Sequence, residues 1–139
     1  MRVTQVSAFL ENRPGRLLHL LSVLANAGVN VLAHDIVDAS DFGIVHLVVD
    51  DPKRAVQAMS DSKLTAATTN VLVVDVPDRA GAFVDCVLRP LAEAGANIQY
   101  SYAFGALAGT GTAERADATR VVLKVDDIAR AERALAQTG

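Results

Sequence analysis

Two short stretches of the sequence combine residue types that suit the binding of a small zwitterion. They are Asn12, Arg13, Pro14 and Gly15 in the first stretch and Asp78, Arg79 and Gly81 in the second. A glycine at a helix start leaves backbone N–H groups without intrahelical partners and lets a ligand approach them with no Cβ in the way. The positive end of the helix dipole favours a carboxylate or a phosphate, and an arginine can pair with either group. The Asn or Asp side chain can accept a hydrogen bond from an ammonium group.

Each polar side chain in these stretches also has a purely structural interpretation. Asn12 and Asp78 are of the residue types that cap a following helix. Arg13 and Arg79 are equally suited to lie solvated at the surface. The residue types alone leave both interpretations open.

Asn30 and Asn97 form another matching pair, just after the glycines that end the two helices. An asparagine at such a position is typical of a turn. Its side-chain amide can instead face a ligand held by a neighbouring unit. We therefore include both asparagines among the candidate ligand-binding residues.

These matching positions belong to an internal duplication of the chain. The separation between matching residues is 66, then 67, then 76 positions, as in Gly15 and Gly81, Asn30 and Asn97, and Asp51 and Asp127. Separations that increase once inside a helix and once inside a loop are expected of two diverged copies. We predict two units, residues 1–69 and residues 70–139. Because a unit of this size buries only a modest core, we expect the two copies to share an interface.

The first copy has the pattern of a complete α+β unit. Apolar residues recur at helical spacing before Gly28, which is placed to end a helix, and β-forming runs flank that segment. The predicted elements are a strand from Arg2 to Leu10, a helix from Gly15 to Ala27, a hairpin of Asn30 to Asp38 and Phe42 to Val49, a helix from Asp51 to Ser60, and a strand from Leu64 to Asn70. This order is that of the split βαβ, or ferredoxin-like, fold, with an antiparallel sheet and helices on one face.

The second copy repeats the pattern with two differences. Pro90 lies inside its first helix, where proline lacks an N–H and opposes the carbonyl of residue 86, so we predict a kink or a π-bulge there. The chain also ends at Gly139, which leaves no room for a closing strand. We therefore predict a sheet one strand short, with an unpaired edge that a neighbouring unit or subunit covers. The predicted elements are Asn70 to Val76, Gly81 to Ala94, Asn97 to Phe104, Thr119 to Val125 and Asp127 to Gln137.

The segment from Gly105 to Ala118 replaces the tight hairpin turn of the first copy. It is rich in glycine, alanine and threonine. A solvated hairpin tip and a lid over a bound ligand are both compatible with this composition.

The composition excludes several functional classes. The chain has 139 residues, of which 51% are hydrophobic, and a net charge of −3 with no basic cluster, so we expect no nucleic-acid binding. The single Cys86 rules out an intrachain disulfide and provides no metal-ligand spacing. No apolar run reaches membrane-spanning length, and the N-terminus does not resemble an export signal. We expect a cytoplasmic protein without metal, cofactor or membrane attachment.

No catalytic set of residues emerges from the sequence. His19, His34 and His46 do not neighbour a serine or cysteine in a recognisable motif and lack zinc-binding spacing. The paired carboxylates Asp50-Asp51 and Asp126-Asp127 stand where helix caps belong, so we interpret them as caps rather than as acid–base groups.

The duplicated stretches resemble the ACT domain. The resemblance is carried by Glu-Asn-Arg-Pro-Gly-Arg-Leu and Leu-Ala-Asn-Ala-Gly-Val-Asn-Val in the first copy, and by Val-Pro-Asp-Arg-Ala-Gly and Leu-Ala-Glu-Ala-Gly-Ala-Asn-Ile-Gln-Tyr in the second. ACT domains are regulatory modules that bind small amino acids at interfaces between paired domains and often control enzymes of amino-acid metabolism. The resemblance implies one site bordered by Asn12, Arg13, Pro14, Gly15 and Asn30, and a pseudo-symmetric site bordered by Asp78, Arg79, Gly81 and Asn97.

The leading hypothesis is therefore a free-standing regulatory or sensor module, a homodimer that binds an amino acid between its units and is not an enzyme. A second hypothesis is a regulatory subunit that docks on an amino-acid biosynthetic enzyme, with ligand binding secondary. The predicted open sheet edge motivates this alternative. A third is an enzyme on the same scaffold, since fold alone does not determine function. The identity of the amino acid cannot be inferred, because selectivity depends on pocket walls formed across an interface.

Overall fold

The computed structural model describes residues 1–39, 41–104 and 118–136 of the chain. The described elements follow the order βαββαβ and then αββα, and the last strand of the first series also serves as the first strand of the second. In chain order the elements are β1 (Arg2–Glu11), α1 (Arg16–Asn26), β2 (Val31–Ala39), β3 (Phe42–Val49), α2 (Pro52–Asp61), β4 (Thr65–Pro77), a π-helical segment (Val84–Leu88) continuing into α3 (Arg89–Glu93), β5 (Ile98–Ala103), β6 (Ala118–Val125) and α4 (Ile128–Ala136).

The contacts within the chain divide it into two compact units. The first unit is Thr4–Thr69, and the second consists of Met1–Val3 together with the described residues from Asn70 onward. Strand β4 runs through the boundary and contributes to both. The predicted α+β architecture of tandem ferredoxin-like units is confirmed.

The first unit is an antiparallel sheet in the order β2-β3-β1-β4. Alternation along β1 sends Val6, Ala8 and Leu10 to the face that packs on the helices. Leu20 and Leu24, one helical turn apart, are the fully buried residues of α1 and meet that face. The core of the first unit therefore lies between one face of its sheet and its two helices.

The second unit has the strand order β4-β6-β5 and a separate core. The predicted π-bulge is confirmed, because residues Val84–Leu88 form a π-helical turn immediately before α3. Pro90 cannot donate a backbone hydrogen bond, and the wider turn places the extra residue where an α-helical ladder would have to break.

The strands predicted from Leu64 to Asn70 and from Asn70 to Val76 are in fact one, so their division at Asn70 was wrong. Residues with high β propensity continue without glycine or proline from Thr65 to Val76 and support one long strand. The prediction that the second unit is one strand short is confirmed, since its described strands are β4, β6 and β5. Part of the β4 edge in this unit is paired with the start of the chain. Met1 donates from its ammonium group to the carbonyl of Val73 at 3.0 Å and accepts from the Val73 N–H at 2.8 Å.

The predicted loop from Gly105 to Ala118 lies outside the described residues, except that Ala118 begins β6. Within the described part of the chain, no helix combines the length and apolar character needed to cross a membrane.

Candidate ligand-binding site

The loop between β1 and α1 is held by its own backbone. The Arg13 N–H donates to the carbonyl of Glu11 at 2.9 Å, and the His19 N–H donates to the carbonyl of Gly15 at 2.9 Å. Gly15 occupies the cap position with φ of 86°, and no side chain caps the helix. The interpretation of Asn12 as the helix cap was therefore wrong. The left-handed conformation of Gly15 delays the helix start to Arg16, and the Asn12 N–H instead donates to the carbonyl of Asp41 at 2.8 Å.

The loop before the second helix repeats this backbone arrangement. The Arg79 N–H donates to the carbonyl of Pro77 at 2.9 Å, and the Asp85 N–H donates to the carbonyl of Gly81 at 3.0 Å. Gly81 has φ of 80° and directly precedes the helical residues. The helical residues begin directly after Gly81, and no side chain caps the π-helical segment that follows, so the capping interpretation of Asp78 was also wrong. Each bond matches one in the first loop at a separation of 66 positions.

Both cap glycines face open space. A Cβ built on Gly15 or Gly81 meets no atom within 4 Å. At Gly28 and Gly95, which end the same helices, a Cβ meets the guanidinium of an arginine at 3.6 Å and 3.5 Å. The helix starts are thus the ends at which a ligand can reach the backbone, and a helix start offers first-turn N–H donors and a positive dipole end.

A hollow of about 370 Å³ lies beside the first loop. Its lining residues are Glu11, Asn12, Arg13, Asp41 and Phe42. The hydrogen bond from Asn12 to Asp41 joins the loop to the tip of the β2–β3 hairpin and so brings the two walls together. Pro14 and Gly15 follow in the same exposed loop.

The two loops differ in the environment of their arginines. The Nε of Arg13 lies 2.9 Å from a carboxylate oxygen of Glu11, and both side chains are more than half exposed. Such an exposed pair contributes about 0–1 kcal/mol, so a ligand carboxylate can replace Glu11 at little cost. Position 77, which corresponds to Glu11, is a proline. Among the described residues, Arg79 forms no ion pair.

Asn30 and Asn97 lie at the other end of their units. Helix α1 has 11 residues and separates the start of β2 from the β1–α1 loop by about 16 Å. The N–H of Asn30 donates to the carboxylate of Asp50 at 2.9 Å, and that of Asn97 donates to Asp126 at 2.8 Å. Within one unit, neither asparagine meets the glycine loop, so a site containing both would need another unit to complete it.

The two aspartates of each Asp-Asp pair have different structural roles. Asp51 and Asp127 accept the backbone N–H of Arg54 and Arg130, each at 3.1 Å, so the capping interpretation is confirmed for these two. Their neighbours Asp50 and Asp126 instead fix the starts of β2 and β5. Sequence reasoning missed this second role, although the repeated Asp-Asp pair and the repeated Asn pair were the available signal.

A larger hollow of the first unit lies away from the glycine loop. It has a volume of about 610 Å³ and opens at the start of α2, at the end of the unit where Asp50 accepts from the N–H of Asn30. Its lining residues are Thr4, Asp50, Asp51, Pro52, Lys53, Val56, Gln57 and Thr68. Asp50 and Asp51 are already engaged with backbone N–H groups. The smaller hollow is therefore the better candidate, because the backbone at Gly15 in the adjoining loop is open.

The most buried histidine belongs to a polar cluster on the helix-free face of the first sheet. The Nδ1 of His46 lies 3.2 Å from the amide nitrogen of Gln5 and 3.1 Å from the hydroxyl of Ser7. Burial lowers the pKa of His46 below its ordinary value of 6.5, and the charge of Asp35 acts in the opposite direction. Within the described residues, no group of three or more His, Cys, Asp or Glu side chains is placed to hold a metal ion.

Comparisons with known proteins agree with this duplicated geometry. A family model described as an ACT domain pair matches residues 1–135. The protein BT0572 from Bacteroides thetaiotaomicron is 30% identical, with a TM-score of 0.87 over 99% of this chain and 88% of that chain. No curated protein matches the chain.

Two more distant structures share the fold. The ligand-free regulatory subunit of aspartate kinase from Thermus thermophilus is 16% identical, with a TM-score of 0.64 over 96% of this chain and 88% of that chain. The corresponding subunit from Thermus flavus is 18% identical, with a TM-score of 0.63 over 97% and 91%.

Proposed function

Because the chain belongs to the family of ACT domain pairs, we propose that it is a regulatory protein that binds a small amino acid at its glycine-marked helix starts. The observation that carries this proposal is the open backbone at Gly15 and Gly81, set in the same hydrogen-bonding frame in both copies. Both copies keep these backbone hydrogen bonds although the neighbouring side chains differ. This is consistent with a common role. We expect this role to be binding rather than catalysis.

At the first loop, we assign the ligand's carboxylate to the first turn of α1. The N–H groups of Leu17 and Leu18 lie in that turn, where an α-helix has no internal acceptors for them. Arg13 can exchange its exposed partner Glu11 for the same carboxylate. Asn12 lines the adjoining hollow and is suited to accept from the ligand's ammonium group.

At the second loop, we assign the same roles to Asp78, Arg79 and Gly81. Asn30 and Asn97 can join these sites only from another unit, and we propose that a second copy of the chain provides it, so that the protein is a homodimer. The expected cytoplasmic location belongs to the same proposal, since it follows from a role in amino-acid metabolism.

A thermal-shift screen of the purified protein against the twenty amino acids tests the proposal. Binding to the folded state alone must raise Tm, so at least one amino acid should do so in a dose-dependent manner. A folded sample that none of them stabilises would contradict amino-acid binding.

A matched pair of variants then locates the site. Gly15→Ala and Gly28→Ala both place a side chain at a positive φ, but only Gly15 lies at the proposed site. Both should lower Tm by similar amounts, and only Gly15→Ala should weaken the ligand-induced shift. Equal loss of the shift in the two variants would place the ligand elsewhere.

The second candidate function is a regulatory subunit that acts on an amino-acid biosynthetic enzyme. It is supported by the shared fold with regulatory subunits of aspartate kinase, which is a likeness of fold alone. Titrating the chain into a purified candidate enzyme, with and without the amino acid found above, would test it. A change in enzyme activity that requires the chain is the expected result.

A further inference from the structure

An arginine occupies a core-facing position at the start of α1. Arg16 is the first residue of this helix and lies one turn before Leu20, which is followed one turn later by Leu24. Residues four apart share a face of a helix, so Arg16 belongs to the stripe on which both leucines are fully buried. The matching residue of the second unit is Ala82, which is completely buried in the second core. A charged side chain thus stands in the first unit where the second unit has a core alanine.

The Arg16 side chain has no polar partner in the part of the chain that the structure describes. Its Nε is buried and forms no hydrogen bond. The guanidinium also forms no ion pair with any described residue. A buried donor of a charged group that lacks an acceptor costs free energy. An anionic acceptor from outside the chain would remove that cost.

The direction of the side chain connects Arg16 to the candidate site. Side chains of an α-helix tilt toward the helix N-terminus, so a residue covers the turn before its own Cα. For Arg16 this direction leads away from Leu20 and toward the β1–α1 loop. The Arg16 N–H also donates to the carbonyl of Arg13 at 3.4 Å, which joins the first residue of the helix to that loop. The guanidinium is therefore directed to the sheet-facing side of the helix start, where the backbone at Gly15 is open.

We propose that Arg16 makes the first site selective for a dicarboxylic amino acid, of the size of aspartate or glutamate. This inference rests on the proposed function, in which the α-carboxylate of the ligand binds the first turn of α1 and Arg13. The second carboxylate, on the ligand's side chain, accepts from the Nε and a terminal nitrogen of Arg16, in the paired geometry that arginine forms with carboxylates. Ala82 has no donor to offer at the second helix start, so the selectivity belongs to the first site alone.

The other charges near the first site orient such a ligand. Glu11 and Asp41 line the adjoining hollow, and both are exposed. Their carboxylates attract the ligand's ammonium group and repel its side chain toward Arg16. Because both are exposed, water and salt screen that repulsion, whereas the Nε of Arg16 is buried and interacts more strongly. The contact with Arg16 should therefore dominate the choice of side chain.

Isothermal titration calorimetry of the natural chain compares each acid with its amide, aspartate with asparagine and glutamate with glutamine. An amide has nearly the shape of its acid but no charge on the side chain. At least one acid should bind about tenfold more tightly than its amide, with one such site per chain. If the chain binds amino acids but prefers neither acid, solvent alone satisfies the Nε and this inference is wrong, while the proposed function stands. If the folded chain binds no amino acid, both are wrong.

A pair of variants then assigns the preference to Arg16. Arg16→Gln removes the charge and keeps a long polar side chain, so it should weaken binding of the preferred acid about tenfold and leave its amide unaffected. Arg13→Gln should weaken the acid and the amide by similar factors, because Arg13 pairs with the carboxylate that both ligands share. Arg89→Gln, at an exposed position of the second unit, is the control that should change neither. An acid preference that persists in folded Arg16→Gln would overturn the assignment.

Discussion

The helix-free faces of the two sheets carry different side chains at matching strand positions. In the first unit, Phe9, Ile44 and Val37 lie side by side across three strands, and Phe9 and Val37 are 44% and 42% exposed. At the matching positions, the second unit has the row Asp75, Arg120 and Phe104. There Arg120 lies 3.0 Å from the Asp75 carboxylate and 5.4 Å from the centre of the Phe104 ring.

In the neighbouring row, the first unit is polar and the second unit is apolar. The first unit has the cluster of Gln5, Ser7 and His46, of which Gln5 and His46 are buried, whereas valines occupy all the matching positions of the second unit. These are Val71, Val73 and Val122, and all three are buried. Similar backbone pairing thus supports either a polar or an apolar centre, provided that the polar groups satisfy one another.

The backbone at the helix starts shows much less divergence. The backbone bonds around Gly15 and Gly81 match in length to about 0.2 Å, and the caps at Asp51 and Asp127 have the same length. The comparison indicates that the duplicated chain has kept its backbone geometry at helix ends while its sheet faces became specialised.

The largest expected effect tests the difference between two matching positions of the two cores. Met59→Ala should lower the free energy of unfolding by about 2–5 kcal/mol, because it leaves a cavity in the core of the first unit. The matching Leu135→Ala should cost only about 1 kcal/mol, since Leu135 is only partly buried against the core of the second unit. Urea denaturation of both variants measures the difference. Equal losses would show that the two positions are equally well packed.

Much of this fold was predictable because duplication tests each local pattern twice. The leucine spacing of α1, the cap at Asp51 and the π-helical turn before Pro90 all follow from local rules and were confirmed. The cap assigned to Asn12 failed because the positive φ of Gly15 shifts the helix start, and residue type alone does not reveal φ.

The less predictable features depend on residues far apart in the chain. The pairing of Met1 with Val73 joins the N-terminus to the middle of the sequence and has no local signal. Asn30 is far from the Gly15 loop because α1 lies between them. The matching of residues between the two copies does not reveal this distance. Candidate residues were therefore easier to name than to group into one site.

The second prediction concerns the two cap glycines, which the comparison identifies as equivalent. Gly15→Ala and Gly81→Ala should each lower the free energy of unfolding by about 1–2 kcal/mol, because a Cβ disfavours a left-handed backbone even where space is open. Gly43→Ala is the control, since its φ is not positive and its Cβ would make an ordinary contact with the carbonyl of Val37. That variant should change the free energy by less than about 1 kcal/mol. If Gly81→Ala left the free energy of unfolding unchanged, the two loops would not be equivalent.

The third prediction concerns the caps of α2 and α4. Asp51→Ala and Asp127→Ala each remove an acceptor for a backbone N–H and should cost about 1 kcal/mol in urea denaturation. Asp51→Asn and Asp127→Asn keep a capping oxygen and should restore most of the loss. A large difference between the two alanine variants would mean that the units do not depend equally on their caps.

The smallest expected effect is a pH dependence that only the first unit can produce. Because burial lowers the pKa of His46 below 6.5, the unfolded chain takes up a proton at a higher pH than the folded chain. The contribution of His46 to the free energy of unfolding should therefore be constant above pH 7, decline as the pH falls through 6.5, and level off below the folded-state pKa. The triple variant Gln5→Val, Ser7→Val and His46→Val copies the apolar centre of the second unit and should lack this decline. Urea denaturation of both proteins between pH 7.5 and pH 5.5, a window set by the reference pKa, isolates the histidine because their carboxylates otherwise match. Parallel curves would mean that His46 titrates alike in the folded and unfolded chains, and that the polar cluster is not the source of any pH sensitivity.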